Sequence, residues 1–259
     1  MVRQIGAGQV GLMLLVIMSV VIALVMSVAS RSLSDTMLSR QEKESSAAFE
    51  VAETGIEQAL NRLRQGSLPA PTQFFDSTGL VTGNYAVNNL TTYSLYVKEL
   101  ETAQLDLTGF GGGNLTVKWT KKNDVSEDKT TCSEGSGTMS AALEISAIKS
   151  GTNVIERSYY NPFDCNISGN NFASSLTGGD YVSSINYVVP ANTTSLRLRP
   201  IYLGATISVM GALTADQMYI IQASGSGGDA QKEIQVKRGL DAPASVFDFA
   251  LFSGTTIVK

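Results

Sequence analysis

An uninterrupted apolar segment near the amino terminus constrains this chain more than any other feature. Residues 10–29 carry no charge, and their only polar side chains are Ser19 and Ser27. As a helix the segment is about 30 Å long, which matches the hydrocarbon thickness of a bilayer. A helix that is apolar on every face is typical of a membrane span rather than of a globular core. We therefore expect a transmembrane helix at residues 10–29.

The residues flanking this segment indicate its orientation. Arg3 and the amino terminus precede it, which places the N-terminus in the cytoplasm and the bulk of the chain outside. The alternative is a cleaved secretory signal, because residues 27–29 resemble a small-x-small cleavage site. The apolar segment is longer than the roughly 7–15 residues usual in a signal peptide, which favours the membrane span.

The helix is expected to continue beyond the membrane as a stem. Residues 31–65 contain no proline and a single glycine, Gly55, and Arg40 lies four residues before Glu44, a spacing that supports a helix. Gly66, followed closely by two prolines, is a helix stop signal. A helix over residues 9–65 would be about 85 Å long.

The upper stem has an apolar stripe that predicts which face packs on a folded domain. Its members are three and four residues apart, the spacing of one helix face. They are Phe49, Ala52, Ile56, Ala59 and Leu63. The middle of the stem, residues 30–46, is polar nearly all round, which is typical of a helix that bridges compartments or packs against other helices.

Two short stretches on either side of the apolar segment carry a family resemblance. The leader, residues 1–8, ends in Gly6-Ala7-Gly8, and residues 47–60 are AAFEVAETGIEQAL. With the helix between them, these residues resemble type IV pilins and pseudopilins, most closely the minor pilins with a PilX-type N-terminal region. The resemblance covers residues 1 to about 65, a quarter of the chain.

The resemblance implies a processing and assembly pathway. A prepilin peptidase on the cytoplasmic face would cut between Gly8 and Gln9, and Gln9 would then be methylated. The chain would wait in the inner membrane until the filament assembly platform adds it to other pilin subunits. Its N-terminal helix would enter the filament core, and its outer domain would face the exterior or cap the tip.

The position of Met13 departs from the family pattern. After cleavage it is the fifth mature residue, where pilins usually carry a glutamate that pairs with a neighbouring subunit's N-terminus. Its absence favours a minor or initiating subunit and leaves open a permanently anchored monomer.

Four small residues of the apolar helix lie 8, 4 and 4 positions apart, a pattern that suits close packing against other helices. These are Gly11, Ser19, Ala23 and Ser27. The alternative is that they are ordinary small residues of a lone anchor.

After Gly66 the sequence changes to strand patterns, so the expected fold class is α+β, with the long helix packed on an antiparallel β-sheet or β-sandwich over residues 66–259. Expected strands lie at residues 93–97, 115–119, 143–147, 154–159, 195–199, 217–222, 233–237 and 246–252. The third and fourth should form a hairpin, and residues 224–229, SGSGGD, should form a loop between the sixth and seventh. Further loops are expected at residues 69–83, 121–137 and 166–180. The last two are candidate contacts for a partner, and the alternative is that they are solvated loops without a binding role.

The two cysteines, Cys132 and Cys165, are too far apart in sequence for a C-x-x-C motif. Because the domain is expected outside the membrane, we predict a disulfide between them. Two separate buried thiols are the alternative.

Composition argues against several functions. The chain has no histidine, which removes the commonest general base and metal ligand, and its net charge of −4 does not favour nucleic-acid binding. The glycine-rich segments match no phosphate-binding motif. Acidic residues 124, 127 and 128 lack the full calcium-loop pattern. We expect no catalytic, metal or cofactor site. The alternatives to a filament subunit are an anchored adhesin or ligand-binding β-domain and, less favoured, an exported enzyme.

Overall fold

The structure, a computed structural model, describes residues 7–66, 68, 70–75, 81–129, 132, 139–150, 155–165 and 169–242; at residues 7–10 and 75 it describes the backbone alone. The described residues form one long helix and antiparallel sheets, which confirms the α+β fold class. Contacts divide the chain into two compact units. The first is Met1–Ala86 with Gln222–Ile234, and the second is Val87–Ile221 with Gln235–Lys259.

Helix α1 spans Ala7–Arg64. It ends where the stop signal predicts, because Gly66 adopts a positive φ of 76° and its amide donates to the carbonyl of Leu63 at 3.0 Å. The strands follow in chain order: β1 Thr72–Phe75, β2 Val81–Leu90, β3 Tyr93–Val97, β4 Ala103–Asp106, β5 Asn114–Lys121, β6 Ala142–Lys149, β7 Ile155–Tyr160, β8 Leu176–Thr177, β9 Tyr181–Val188, β10 Thr193–Ile201, β11 Ala205–Met210, β12 Met218–Gly227 and β13 Ala230–Gly239.

The strands form three sheets with the orders β1-β2-β12-β13, β4-β10-β6-β7 and β3-β11-β5-β9-β8. In the second unit, alternate residues of the last two sheets bury one face each in a common apolar core. Trp119 of β5 is fully buried there, and its indole nitrogen donates to the carbonyl of Ala141 at 2.8 Å. The predicted β6–β7 hairpin is confirmed by the pairing of Leu143 with Tyr160 through Ile148 with Ile155.

Three loop predictions are corrected by the strands. Residues 69–83 are not a connecting loop, because β1 and the start of β2 lie there and pair from Thr72–Tyr85 to Phe75–Thr82. Residues 224–229 are not a loop either, because β12 runs on to Gly227 before the turn into β13. The expected loop at residues 166–180 contains the two-residue strand β8. The strand expected at residues 246–252 lies outside the described residues, and so do residues 151–154 between β6 and β7.

The predicted disulfide is present between Cys132 and Cys165, with their Cα atoms 5.4 Å apart. It joins two segments separated by 33 positions in the sequence. Closing a loop of this length restricts the unfolded chain, which on the chain-entropy model stabilises the fold by roughly 3–4 kcal/mol.

Reduction is therefore expected to lower the free energy of unfolding of the second unit by about 3 kcal/mol. Urea unfolding followed by Trp119 fluorescence, with and without a phosphine reductant, measures the loss. The double variant Cys132→Ser, Cys165→Ser should unfold at the reduced protein's midpoint under both conditions. An unchanged midpoint on reduction would show that the bridge contributes no stability.

Candidate assembly surface

The lower part of α1 projects without protein cover. Every residue from 11 to 43 is exposed, and the large apolar side chains between Leu12 and Val28 are each at least 51% exposed. The helix is long and apolar enough to cross a membrane. An exposed apolar surface of this extent is rare on soluble monomers and marks a membrane or protein contact. The chain is thus compatible with a single membrane anchor.

The residues expected to mediate assembly all lie on this projecting helix. Met13 is 65% exposed, and a Cβ built at Gly11 meets no atom within 4 Å. Ser19, Ala23 and Ser27 are exposed as well. The Ser19 hydroxyl donates to the carbonyl of Val16 at 2.8 Å, so it needs no partner from the surroundings. Gly8 and Gln9 belong to the first turn of α1, and residues 1–6 lie outside the described residues.

A polar segment, residues 30–43, separates the apolar part of α1 from the part that contacts a sheet. It is about 20 Å long at the helical rise. The hydroxyls of Ser34 and Thr36 donate to carbonyls four residues earlier, at 3.0 and 2.8 Å. This segment is exposed on all sides, so within the first unit it acts as a spacer.

The upper part of α1 packs on the β1-β2-β12-β13 sheet through very small residues. We call this contact the seam; it comprises α1 residues 44–59 and the strand residues they touch. Ala48, Ala52 and Ala59 are fully buried, and Ile56 is 8% exposed. Leu63 is half-buried at the far end.

Phe49, the first residue of the predicted stripe, lies outside the buried face of the seam. It is 47% exposed, whereas Ala48 is completely buried. Successive residues are about 100° apart around a helix, so burying Ala48 turns Phe49 towards solvent. The buried face is centred on the three alanines. The predicted stripe includes Ala52 and Ala59, but it takes Phe49 in place of Ala48 because Phe49 is the more hydrophobic neighbour.

Glycines on the facing strands let the helix backbone come this close. A Cβ at Gly225 would overlap the carbonyl oxygen of Ala48, and a Cβ at Gly227 would lie 3.1 Å from the carbonyl oxygen of Glu44. A Cβ at Gly83 would run into the side chains of Val51 and Phe74. Glycine at these positions is therefore a packing requirement rather than a turn signal.

A charged contact lies at the end of the seam that is nearest the exposed polar segment of α1. The predicted pair of Arg40 and Glu44 is present, with Nε and Oε1 2.7 Å apart. The other carboxylate oxygen of Glu44 accepts a hydrogen bond of 3.2 Å from the amide of Asp229, in the turn between β12 and β13. The hydrogen bond from Arg40 lowers the pKa of Glu44 below its ordinary value of 4.5, and the hydrogen bond from the Asp229 amide lowers it further.

Because folding lowers this pKa, the Glu44 contact stabilises the seam above the ordinary carboxyl pKa and is lost as the pH falls through the lowered value. We expect the Asp229 amide to exchange with deuterium more readily, relative to its unfolded rate, at pH 3 than at pH 6. Glu44→Gln should remove this difference, and Glu42→Gln on the exposed helix should retain it. Equal protection at both pH values in the unaltered protein would contradict the assignment.

The loop at residues 122–129 is held by its own carboxylates. Asp124 accepts hydrogen bonds from the amide and hydroxyl of Ser126, at 2.9 and 2.5 Å. Glu127 is buried and accepts from the amide of Lys121 at 2.9 Å and from the amide and hydroxyl of Thr206 at 2.8 and 2.5 Å. These acidic residues therefore fasten the loop to β5 and β11. The described residues include no group of three or more side chains arranged to hold a metal ion.

Comparison with protein-family models, with curated proteins and with solved structures finds no match to this chain. The features that bear on function are therefore the two parts of α1, one exposed and apolar and the other fixed to a sheet by the seam.

Proposed function

We propose that this chain is a minor-pilin or pseudopilin type of subunit of a type IV pilus-like filament, anchored in the inner membrane until it is assembled. One observation carries the proposal. A single continuous helix is uncovered and apolar along residues 11–28 and buried against its own sheet around Ala48, Ala52 and Ala59. Such a helix is built to display the attached domain while its free end is buried in something other than this chain.

The free end suits two surroundings. In the lipid bilayer, its backbone hydrogen bonds are satisfied within the helix, and no charged side chain opposes insertion. In a bundle of similar helices, small residues allow close backbone approach. Moving from lipid into a bundle exchanges one apolar environment for another, so the driving force comes from packing rather than from removing water.

The seam suits the role of a rigid joint. Its strand glycines lie so close to the helix backbone at Ala48 and Glu44 that a Cβ would not fit freely between them, which leaves little space for the helix to slide or rotate. The upper helix and the contacting sheet of the first unit then move as one body. A filament subunit needs such a joint, because the pull on its helix must reach the folded part of the chain.

Mass spectrometry of the mature N-terminus tests the processing step. In cells that express a prepilin peptidase, we expect a chain that begins at Gln9 and carries one added methyl group. Gly8→Val should abolish this cleavage, and the matched variant Gly6→Val should leave it intact. A chain that begins near Ser30 would mean a cleaved secretory signal and would exclude the filament role.

A permanently anchored, non-polymerising β-domain is the second candidate, favoured by Met13 in place of a glutamate. Cross-linking through an introduced cysteine separates the two. Ser27→Cys lies on the small-residue face, and Val25→Cys is exposed about 200° around the helix. Filament packing predicts that Ser27→Cys cross-links far more than Val25→Cys in the sheared filament fraction. A mature N-terminus at Met1 or Val2, with no cross-linking from either variant, would identify the anchored monomer.

A further inference from the structure

The first unit has an uncharged polar groove on the sheet that carries the seam. We call it the amide trough. Eight residues line it: Gly83 and Gly225, and six with hydroxyl or amide side chains, Gln73, Thr82, Asn84, Ser224, Ser226 and Gln231. Its volume is about 210 Å³.

The trough follows from the order of the strands. Short side chains on the two middle strands, β2 and β12, form its floor, and the longer Gln73 of β1 and Gln231 of β13 stand at its sides. On β2 and β12, side chains alternate between the faces of the sheet. Gly83 and Gly225 face α1 across the seam, so their neighbours in the sequence face the trough.

Hydrogen bonds between the middle strands hold the floor in place. The hydroxyls of Thr82 and Ser226 are 2.6 Å apart, and the Ser224 hydroxyl donates to Oδ1 of Asn84 at 2.9 Å. Within the part of the chain that the structure describes, the amide nitrogen of Asn84 and the side-chain amides of Gln73 and Gln231 make no hydrogen bond. The hydrogen-bonded floor is therefore preorganised, and the side-chain amides of Asn84, Gln73 and Gln231 are available to a ligand.

The chemistry of the lining restricts the ligand. No lining residue is charged, so an anion or cation would lose its hydration without gaining an opposite charge. An apolar ligand would cover hydroxyl and amide groups without satisfying them, which is also costly. A neutral ligand rich in hydroxyl groups can both donate and accept at each position. The volume is below the roughly 300 Å³ of the smallest drug-sized pockets, so it suits one sugar ring rather than a long chain.

We propose that the amide trough binds a single neutral sugar unit, such as a hexose or N-acetylhexosamine at the end of a glycan. The lining contains no aromatic ring to stack on the sugar, so one site should bind weakly, with a dissociation constant in the millimolar range, about −4 kcal/mol. Many copies on one surface would raise the effective affinity by avidity. The site does not depend on whether the chain polymerises.

Saturation-transfer difference NMR tests the site with methyl glycosides of glucose, galactose, mannose, N-acetylglucosamine and N-acetylgalactosamine. The full chain is kept in a polyoxyethylene detergent, because maltoside and glucoside detergents would themselves offer sugar to the trough. We expect saturation transfer to at least one neutral glycoside. Methyl glucuronide and sialic acid, which carry a charge, should give less transfer than the neutral glycoside that binds best.

Two trough variants and one matched control complete the test. Asn84→Ala and Gln231→Ala should each weaken binding of the responding glycoside by about fivefold to tenfold, the effect of losing one hydrogen bond. Asn186→Ala is the control, because Asn186 is also exposed on a strand and its Oδ1 also accepts from a hydroxyl, that of Thr116 at 3.2 Å. It should bind as the unaltered protein does. Absence of transfer to every neutral glycoside, or transfer that neither trough variant reduces, would overturn the proposal.

Discussion

Replacing Gly225 with valine is expected to release α1 from its sheet, although valine is the better strand former. Any Cβ at this position overlaps the carbonyl oxygen of Ala48, and a helix backbone cannot turn aside as a flexible side chain can. The same Cβ would lie 2.9 Å from the amide nitrogen of Ala52, so moving it away from the Ala48 carbonyl oxygen and towards Ala52 would not relieve the overlap. We expect the free energy of unfolding of the first unit to fall by about 3 kcal/mol, at the upper end of overpacking effects.

Hydrogen–deuterium exchange across residues 44–60, together with urea unfolding, measures this loss. Variants at two other glycines serve as comparisons for the size of this loss. At Gly227 a Cβ would lie 3.1 Å from the carbonyl oxygen of Glu44, so Gly227→Ala should cause a smaller loss. At Gly111 a Cβ meets no atom within 4 Å, so Gly111→Ala should leave the exchange of α1 unchanged. Normal protection of residues 44–60 in Gly225→Val would mean that the seam does not hold the helix.

Replacing Val20 with arginine is expected to disable the anchor and with it the proposed assembly. Val20 lies near the middle of residues 10–29 and is 53% exposed, so the new charge would face lipid or a neighbouring helix. An arginine at the centre of a membrane helix costs about 2.5–3.5 kcal/mol for insertion, and a helix bundle without a partnering carboxylate offers no relief. We expect a large loss from the carbonate-resistant membrane fraction and no subunit in sheared filaments.

The control for this variant carries the same charge outside the apolar segment. Ser32→Arg lies in the exposed polar spacer of α1 and should retain both membrane integration and assembly. If Val20→Arg integrates and assembles as well as Ser32→Arg does, residues 10–29 are neither a membrane span nor a filament-core helix. Integration without assembly would instead leave the anchor in place and locate the defect in helix packing.

The strands that were predicted correctly carry strong local patterns. The apolar alternation around Leu143 and Ile145, and around Leu196 and Leu198, predicted β6 and β10 because alternate residues enter a buried core. β9 is among the strands that the sequence pattern does not predict, because it carries adjacent serines, Ser183 and Ser184, that are buried. Serine and glycine are typical of loops, and only the neighbouring strands make them strand residues.

The candidate sites also differ in whether the sequence alone could predict them. The projecting apolar helix could be predicted residue by residue, because an environment of lipid or like helices requires uncharged side chains over a fixed length. The seam and the amide trough could not, because both lie on the alternating residues TGN at 82–84 and SGSG at 224–227. In isolation the second stretch has the composition of a flexible turn.

The sequence by itself determined the extent of α1, its apolar span and its stop at Gly66, since each follows from local composition. It allowed a single disulfide, and the structure shows that Cys132 and Cys165 form it. Only the tertiary structure decided that Ala48 rather than Phe49 faces the sheet, and that Gly225 is a strand residue. The physical reason is steric. Gly225 is needed where a helix backbone, far away in the sequence, leaves no room for a Cβ.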